Sequence, residues 1–215
     1  MPHYTLLSST YLGPVSYYAK LYHAKHVFIE QYENYTKQTF RNRCLIATAN
    51  GIQPLTIPTE SNGGNKCLIK DIRISDHGNW RHLHWTAFES AYRQSPYFEY
   101  YADDFRPFYE KRFNYLFDFN EQLRELVCSL IGFTPHIRVT ENYQNPNTLT
   151  YVEDLRELIH PKRNFRLLDQ YQVVTYYQVF KSKHGFLPNL SIADLLFNMG
   201  PESLLILRDS VDESP

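Results

Sequence analysis

Short apolar runs separated by turn residues occupy the first third of the chain, and this pattern predicts β-strands. Thr5–Ser8 and Val27–Gln31 are two such runs. The residues between them follow a helical period, with Tyr17, Leu21 and Ala24 on one stripe. We therefore expect the chain to begin as strand, helix and strand.

A β-hairpin is predicted next. Arg43–Thr48 and Gln53–Pro58 flank the dipeptide Asn50-Gly51, which tolerates the positive φ of a tight turn. Prolines at 54 and 58 predict that the second strand is irregular or lies at an edge. Ser61–Asn65 reads as a loop.

The middle of the chain predicts helices. Apolar and aromatic residues recur at helical spacing in residues 79–94, 97–109 and 120–131, and Gly132 is placed to end the third helix. Strands are also expected at 67–74, 136–140 and 171–180, and helices at 154–160 and 191–199. The predicted fold is α/β or α+β, a mixed sheet with helices packed on it. We expect one domain over residues 1–208 and a frayed tail over 209–215.

Composition narrows the class of protein. A net charge of −1 without a basic stripe argues against nucleic-acid binding. We find no run of about 18 apolar residues, so no membrane span is expected, and a cytoplasmic protein is the default. Cys44, Cys67 and Cys128 are scattered, which favours reduced thiols and predicts no metal site. Cys44 reads as a core thiol.

Two arginines are candidates for substrate binding. If Arg41 and Arg43 lie in a strand, their side chains point to the same face and can grip a carboxylate or diphosphate. The alternative is a pair of surface arginines that face neighbouring acids.

Polar residues are concentrated among apolar ones near the C-terminus. Asp194 and Asn198 share one helix face and are candidates for catalysis and substrate binding, respectively. The alternative for Asp194 is structural: with Ser191 as N-cap, a carboxylate three residues on completes a capping box. Tyr177, Gln178 and Asn189 are further candidates for binding.

Two histidines are candidate acid–base groups. His84 makes the best pair by position with Asp76, and His184 lies in a loop near Tyr177 and Gln178. The alternative for each is a structural hydrogen-bond donor. His77, His82 and His84 do not share a helix face, which weakens any metal interpretation.

Several segments in a fixed order resemble the WbqC-like family, in its shorter form from Bacteroidetes-type bacteria. They are Ser9-Thr-Tyr-Leu-Gly-Pro-Val-Ser-Tyr-Tyr, residues 30–43, Asn79-Trp80, Ser95-Pro-Tyr-Phe and Phe186-Leu-Pro-Asn-Leu-Ser-Ile-Ala-Asp-Leu-Leu-Phe-Asn-Met-Gly-Pro. Many members open with a His-Gln-Pro triplet before an aromatic–Pro–Trp stretch. Here Ser8-Ser9-Thr10 occupies that region, so the N-terminal His and Trp are missing. If that His is a catalytic base elsewhere in the family, this branch works differently or not at all.

The resemblance implies a cytoplasmic protein of surface-polysaccharide or O-antigen biosynthesis. It suggests a transferase that moves an acyl or amide group onto a sugar or sugar nucleotide, and it names no cofactor. The alternative is a non-catalytic protein that binds carbohydrate or a pathway enzyme.

Overall fold

A four-stranded parallel sheet forms the centre of the fold in a computed structural model, which describes residues 4–60, 66–148, 150 and 152–212. Its strands are β1 (Tyr4–Ser8), β2 (Val27–Glu30), β5 (Ile137–Val139) and β6 (Val152–Asp154). Their order is β5–β2–β1–β6, and every neighbouring pair is parallel. The carboxyl ends of all four strands therefore meet at one edge of the sheet.

The chain changes direction across this sheet between β1 and β6. From β1 it proceeds to β2 and β5 on one side, and it returns to β6 on the other side. In open α/β sheets, ligands bind outside the carboxyl ends of the strands at such a switch point. The loops that follow β1 and β6 are consequently the first place to look for a site.

The predicted hairpin is confirmed as β3 (Arg43–Thr48) and β4 (Gly51–Thr56), which pair antiparallel. Gly51 has φ of 103°, a value that glycine adopts without steric cost. Parallel sheet and antiparallel hairpin together give the mixed α/β fold that the sequence predicts.

Seven α-helices occur in the described residues. They are α1 (Val15–His23), α2 (Trp80–Tyr92), α3 (Phe98–Glu110), α4 (Leu116–Ile131), α5 (Lys181–His184), α6 (Ile192–Met199) and α7 (Ser203–Asp209). The helical middle of the chain is thus confirmed. Gly132 ends α4 with φ of 92°, and its N–H donates to the carbonyl of Cys128. No helix in the described ranges is long and apolar enough to cross a membrane.

Aromatic rings from two helices, α2 and α3, pack around Phe197 of α6. Its ring centroid lies 6.1 Å from Phe88, 5.3 Å from Tyr92, 5.1 Å from Phe98 and 5.2 Å from Phe105. All five rings are buried. Much of the high aromatic content therefore serves the core that joins α2 and α3 to the C-terminal helix.

The strand predicted at 67–74 and the helix predicted at 154–160 are wrong, because the backbone groups of these segments do not form a strand ladder or a regular α-helix. Residues 67–74 form a 3₁₀ turn at Ile69–Asp71, and the Ile69 and Ile74 N–H groups donate to the carbonyls of Glu33 and Asn114. Residues 154–160 are the end of β6 followed by turns. Burial of the apolar residues in both segments is achieved without a ladder or a helix.

The C-terminal expectations also need correction. Residues 171–180 lie outside any ladder, apart from an isolated bridge between Tyr171 and Val211. That bridge shows that the predicted frayed tail is wrong up to residue 212, since Ser210 and Val211 are buried. Residues 213–215, and the predicted loop at 61–65, lie outside the described residues.

Candidate functional site at the carboxyl edge of the parallel sheet

Glu30, the last residue of β2, is a fully buried carboxylate with four donors. Its Oε1 accepts from the Tyr32 N–H and the Thr140 hydroxyl, both at 2.8 Å. Its Oε2 accepts from the Gln144 N–H at 2.8 Å and from Arg156 Nη1 at 3.3 Å. A buried charge is tolerated when its lone pairs are satisfied in this way. Glu30 therefore fixes the loops that follow three strands.

Arg156 follows β6 and forms ion pairs with two carboxylates, those of Glu30 and Asp154. Its Nε and Nη2 donate to Asp154 at 2.9 and 2.6 Å, which is a bidentate pair. The guanidinium also lies 5.3 Å from the ring centroid of Tyr143. Arg156 thus joins the ends of β2 and β6 across the end of β1.

Arg41 lies in the turn before β3 and is 3% exposed. Its Nε and Nη2 donate to the two oxygens of Glu33 at 2.7 and 2.6 Å, and Nη2 lies 3.5 Å from Glu157 Oε1. Burial acts to lower the pKa of Arg41, but the two carboxylates more than offset it and raise the pKa above its usual value. Arg41 therefore carries a buried positive charge beside the carboxyl ends of the strands.

Helix α4 supplies three polar groups beside this turn. Asn120 Nδ2 donates to the Arg41 carbonyl at 2.8 Å, and Arg124 Nε donates to Glu121 Oε2 at 2.8 Å. Arg124 Nη2 also lies 3.6 Å from Glu125. Burial raises the pKa of Glu121, and the charge of Arg124 opposes that shift.

The loop after β1 completes the arrangement. The Tyr11 N–H donates to the Phe40 carbonyl at 2.8 Å, which sets residues 8–11 against the turn that carries Arg41. The Ser9 hydroxyl acts to lower the pKa of Glu121, so the two groups are neighbours. Residues from β1, the 39–42 turn and α4 therefore meet at the switch point.

Unpartnered polar atoms are concentrated at this edge. Nine buried side-chain atoms in the described residues lack a hydrogen-bond partner of good geometry, and five of them are Ser8 Oγ, Ser9 Oγ, Asn42 Oδ1, Asn120 Oδ1 and Glu121 Oε1. The Ser9 hydroxyl and the Glu121 carboxylate face each other, because a hydrogen bond from Ser9 acts on the pKa of Glu121. Buried polar groups in native proteins are nearly always satisfied, so each exception needs an explanation. We name Ser9, Glu33, Arg41, Asn42, Asn120 and Glu121 the Arg41 cluster.

His160 lies near the cluster. Burial lowers its pKa, the charge of Arg41 acts in the same direction, and Glu157 raises it. Its Nδ1 accepts from the Lys162 N–H at 3.1 Å, which leaves the proton of the neutral ring on Nε2. His160 therefore offers an N–H donor at the switch point.

Glu157, the more distant carboxylate partner of Arg41, has a side chain that is 76% exposed. Two surface depressions lie elsewhere. One of about 770 Å³ is lined by Tyr22, Gln172 and Arg208, and one of about 420 Å³ is at the opposite, amino edge of the sheet beside Tyr4 and His136. Neither is lined by the unpartnered atoms, so we assign the candidate site to the Arg41 cluster.

The polar residues near the C-terminus form a separate group in which Asp194 is central. Its Oδ1 accepts from the Tyr92 hydroxyl at 2.9 Å, and its Oδ2 accepts from the Tyr176 hydroxyl at 2.7 Å and from Gln178 Nε2 at 3.0 Å. Burial raises the pKa of Asp194 to about 6, against the effect of these three donors. The capping-box alternative is wrong: Ser191 does cap α6, through the Ala193 N–H, but the Asp194 carboxylate faces the tyrosines.

Asn198 and Gln178 belong to the same group. Asn198 Nδ2 donates to the Asp194 carbonyl at 2.7 Å, and its Oδ1 accepts from the Val179 N–H at 3.2 Å. The Gln178 amide makes two bonds with the backbone of Leu187. We name Tyr92, Tyr176, Gln178, Asp194 and Asn198 the Asp194 network.

The other predicted site residues are dispersed. Asn189 Oδ1 accepts from the Ser16 N–H at 2.9 Å, and Tyr177 is 53% exposed. His184 Nε2 donates to the Thr48 carbonyl at 3.1 Å and so holds α5 to the hairpin. Arg43 Nε donates to Thr56 Oγ1 at 2.9 Å, away from the partners of Arg41. Catalytic and binding roles for these residues stay predictions.

His84 is buried and does not pair with Asp76. Its Nδ1 lies 2.9 Å from the Tyr11 hydroxyl, and burial lowers its pKa to about 4. Asp76 instead binds Arg81 at 2.6 Å and lies 3.4 Å from Arg112. Cys44 is a buried core thiol, and burial raises its pKa far above the usual range.

Sequence reasoning missed most of the Arg41 cluster. None of Ser9, Glu33, Asn42, Asn120 and Glu121 was a candidate. The neighbouring Glu30, Arg156 and His160 were missed as well, although Glu30 ends an apolar strand and an acid in that position is a recognisable signal. Arg41 alone was a candidate, and its partners come from distant segments. The remaining residues become visible only once the parallel strand order is known.

An α/β sheet with polar groups gathered at its carboxyl edge is the architecture of a ligand-binding α/β protein. The model of the WbqC-like protein family matches residues 9–206, and the chain belongs to that family. The matched region includes both the Arg41 cluster and the Asp194 network.

The chain is also similar to the uncharacterized protein Rv1507c of Mycobacterium tuberculosis. The two are 27% identical, over 94% of this chain and 96% of the relative. No solved structure matches the chain.

Proposed function

We propose that this protein is a transferase that modifies a sugar or sugar nucleotide by acyl or amide transfer in surface-polysaccharide biosynthesis, and that the sugar binds at the Arg41 cluster. The observation that carries the proposal is the set of buried, unpartnered oxygens at the switch point. Hydroxyl, amide and carboxylate oxygens are the groups that recognise the hydroxyl and amine donors of a sugar.

Glu121 is the proposed proton acceptor of the reaction. Arg124 holds its Oε2, the Ser9 hydroxyl is its neighbour, and burial raises its pKa, as is common for a general base. In acyl transfer from a thioester donor, a nitrogen or oxygen of the sugar bonds to the acyl carbon as the carbon–sulfur bond breaks. The proton of the attacking group passes to Glu121 and from there to the departing sulfur, which leaves as the thiol.

A second candidate function is carbohydrate binding without catalysis, as part of the same pathway. It is favoured by the neutral character of Ser9, Asn42 and Asn120, which suits recognition of hydroxyl groups. It is also favoured by Cys44 and Cys128, whose pKa values burial raises, so that neither is an activated nucleophile.

A thermal-shift panel of nucleotide sugars and acyl-CoA donors tests the proposal, combined with mass spectrometry for transferred acyl groups. A ligand at about 100 times its dissociation constant stabilises the fold by about 2.7 kcal/mol, which raises Tm by several degrees. Acylated sugar formed by the wild-type protein and lost in Glu121→Gln supports the transferase. Sugar binding without product under any donor supports the binding protein.

Ser16→Ala is a suitable control for that experiment, because Ser16 lies in α1 outside the cluster and is not a candidate site residue. We expect turnover to be retained in this variant. Turnover that depends on Ser16 but not on Glu121 would contradict the assignment of the site.

A further inference from the structure

The amino edge of the parallel sheet carries aromatic and basic side chains around a depression of about 420 Å³. We name it the amino-edge depression. The side chains that matter for its chemistry are those of Tyr4, His26, Phe28, His136 and Arg138. The Thr5 and Val27 N–H groups donate to the carbonyls of His26 and His136 at 3.0 and 2.9 Å, so the residues just before β2 and β5 continue the sheet.

Strand pairing places these five side chains on one face. Phe28 and Arg138 are partners in β2 and β5, and His26 and His136 precede them by two residues, which is the spacing of one face of a sheet. The Tyr4 ring centroid lies 5.9 Å from that of His26 and 5.5 Å from that of Phe28. The rings of the two histidines are 6.3 Å apart. The group is therefore held together by the sheet itself.

This group is open to solvent, in contrast to the buried Arg41 cluster. Tyr4 is 44% exposed, and Phe28 is half-buried. His26, His136 and Arg138 are exposed. The depression, at about 420 Å³, falls in the range of small-molecule pockets, which is about 300–1,000 Å³. A small ligand therefore reaches these side chains without displacing the core.

The charge of the depression is positive. None of the described residues that line it is an acid, and no ion pair in the described part of the chain includes Arg138. Arg41, Arg124 and Arg156, by comparison, each pair with two carboxylates. The guanidinium of Arg138 is thus free to bind an anion.

The two kinds of side chain call for two kinds of ligand group. A guanidinium binds phosphate through paired N–H bonds, and imidazoles add further N–H donors. The rings of Tyr4 and Phe28 present apolar faces, on which a planar ring stacks. A ligand that uses the whole depression therefore joins a planar ring to a phosphate.

We propose that the amino-edge depression binds a nucleotide, whose base stacks on Tyr4 and Phe28 and whose phosphate binds Arg138. His26 and His136 donate to the same phosphate. The proposal goes beyond the proposed function, because the depression lies at the opposite edge of the sheet from the Arg41 cluster and takes no part in the transfer.

Isothermal titration calorimetry of the full chain with AMP, adenosine and inorganic phosphate tests the proposal. Adenosine lacks the phosphate and inorganic phosphate lacks the base, and AMP represents other nucleotides because every base has a face that stacks. We expect AMP to bind at least about tenfold more tightly than either fragment. Arg138→Gln should lower the affinity for AMP to that for adenosine, and Tyr4→Leu should lower it about fivefold or more.

Arg93→Gln and Tyr100→Leu are the matched controls. Arg93 is an exposed arginine at the end of α2, Tyr100 is a 76% exposed tyrosine of α3, and neither lines the depression. Both variants should bind AMP like the wild type. All four substitutions are of exposed side chains, and circular dichroism should confirm that the variants fold.

Hydrogen exchange locates the bound AMP. We expect increased protection in residues 26–28 and 136–138. Protection confined to residues 8–12 and 39–42 would overturn the proposal, as would an affinity for AMP that is unchanged in Arg138→Gln. AMP that binds no more tightly than inorganic phosphate would overturn it too, because the rings would then contribute nothing. The absence of AMP binding would have the same consequence.

Discussion

The Asp194 network and the Arg41 cluster are both buried and polar, but only the first is complete. Every oxygen of the Asp194 carboxylate has a donor, and Gln178 and Asn198 tie it to neighbouring backbone. In the Arg41 cluster, the charged groups are paired while Asn42 and Asn120 each retain an unpartnered amide oxygen. The difference teaches that a concentration of buried polar residues identifies a site only when some of their atoms remain unsatisfied.

The largest predicted effect is on the complete network. Asp194→Ala leaves the buried donors of Tyr92, Tyr176 and Gln178 without their acceptor, so we expect a loss of about 3–5 kcal/mol in the free energy of unfolding. Urea denaturation measures this change. Tyr176→Phe removes one donor only and should cost about 1 kcal/mol. A loss below about 1 kcal/mol in Asp194→Ala would show that the network contributes little to stability.

The pH dependence of stability gives a second test of the same network. Burial raises the pKa of Asp194 from 3.8 to about 6 in the folded state, so the fold favours the protonated form. Its contribution is fully present below about pH 3.8 and is lost as pH rises through about 6. The shift corresponds to about 3 kcal/mol.

Asp194→Asn removes this titration and isolates the contribution of Asp194. We expect the difference in unfolding free energy between variant and wild type to move in favour of the variant by about 2.4 kcal/mol from pH 4 to pH 7. A difference that does not change over this range would mean that Asp194 is ionised throughout.

The smallest predicted effects compare one serine from each region. Ser191 caps α6 and donates its hydroxyl to the Leu12 carbonyl at 2.8 Å, so Ser191→Ala should cost about 1–2 kcal/mol. The Ser9 hydroxyl has no hydrogen-bond partner of good geometry, so Ser9→Ala should change stability by less than about 0.5 kcal/mol. Thermal unfolding of the two variants checks both values, and a loss of 1 kcal/mol or more in Ser9→Ala would show that its hydroxyl is well bonded.

The helices and the hairpin could be predicted because their signals are local. Asn50-Gly51 specifies a turn by its own backbone preference, and the periodic apolar residues of α4 specify a helix. Residues 67–74 carried a strand-like pattern, but their backbone groups bond to Glu33 and Asn114, which no local pattern reveals.

The candidate site was harder to predict because its contacts are distant in sequence. Arg41 meets Glu157 and Asn120, and Glu30 meets Arg156, only after the parallel strands have assembled. The capping-box alternative for Asp194 is wrong for the same reason, since its partner Tyr92 precedes it by 102 positions. The sequence shows which residues are polar, but it does not show which of their atoms have hydrogen-bond partners in the folded protein.

Hydrogen exchange with and without a bound sugar tests the central claim most directly, because it reports which backbone segments a ligand protects. The account predicts that protection increases in residues 8–12, 39–42 and 117–124 at the carboxyl edge of the sheet, and that residues 176–198 are unchanged. Protection confined to residues 176–198 would place the site at the Asp194 network and contradict the account.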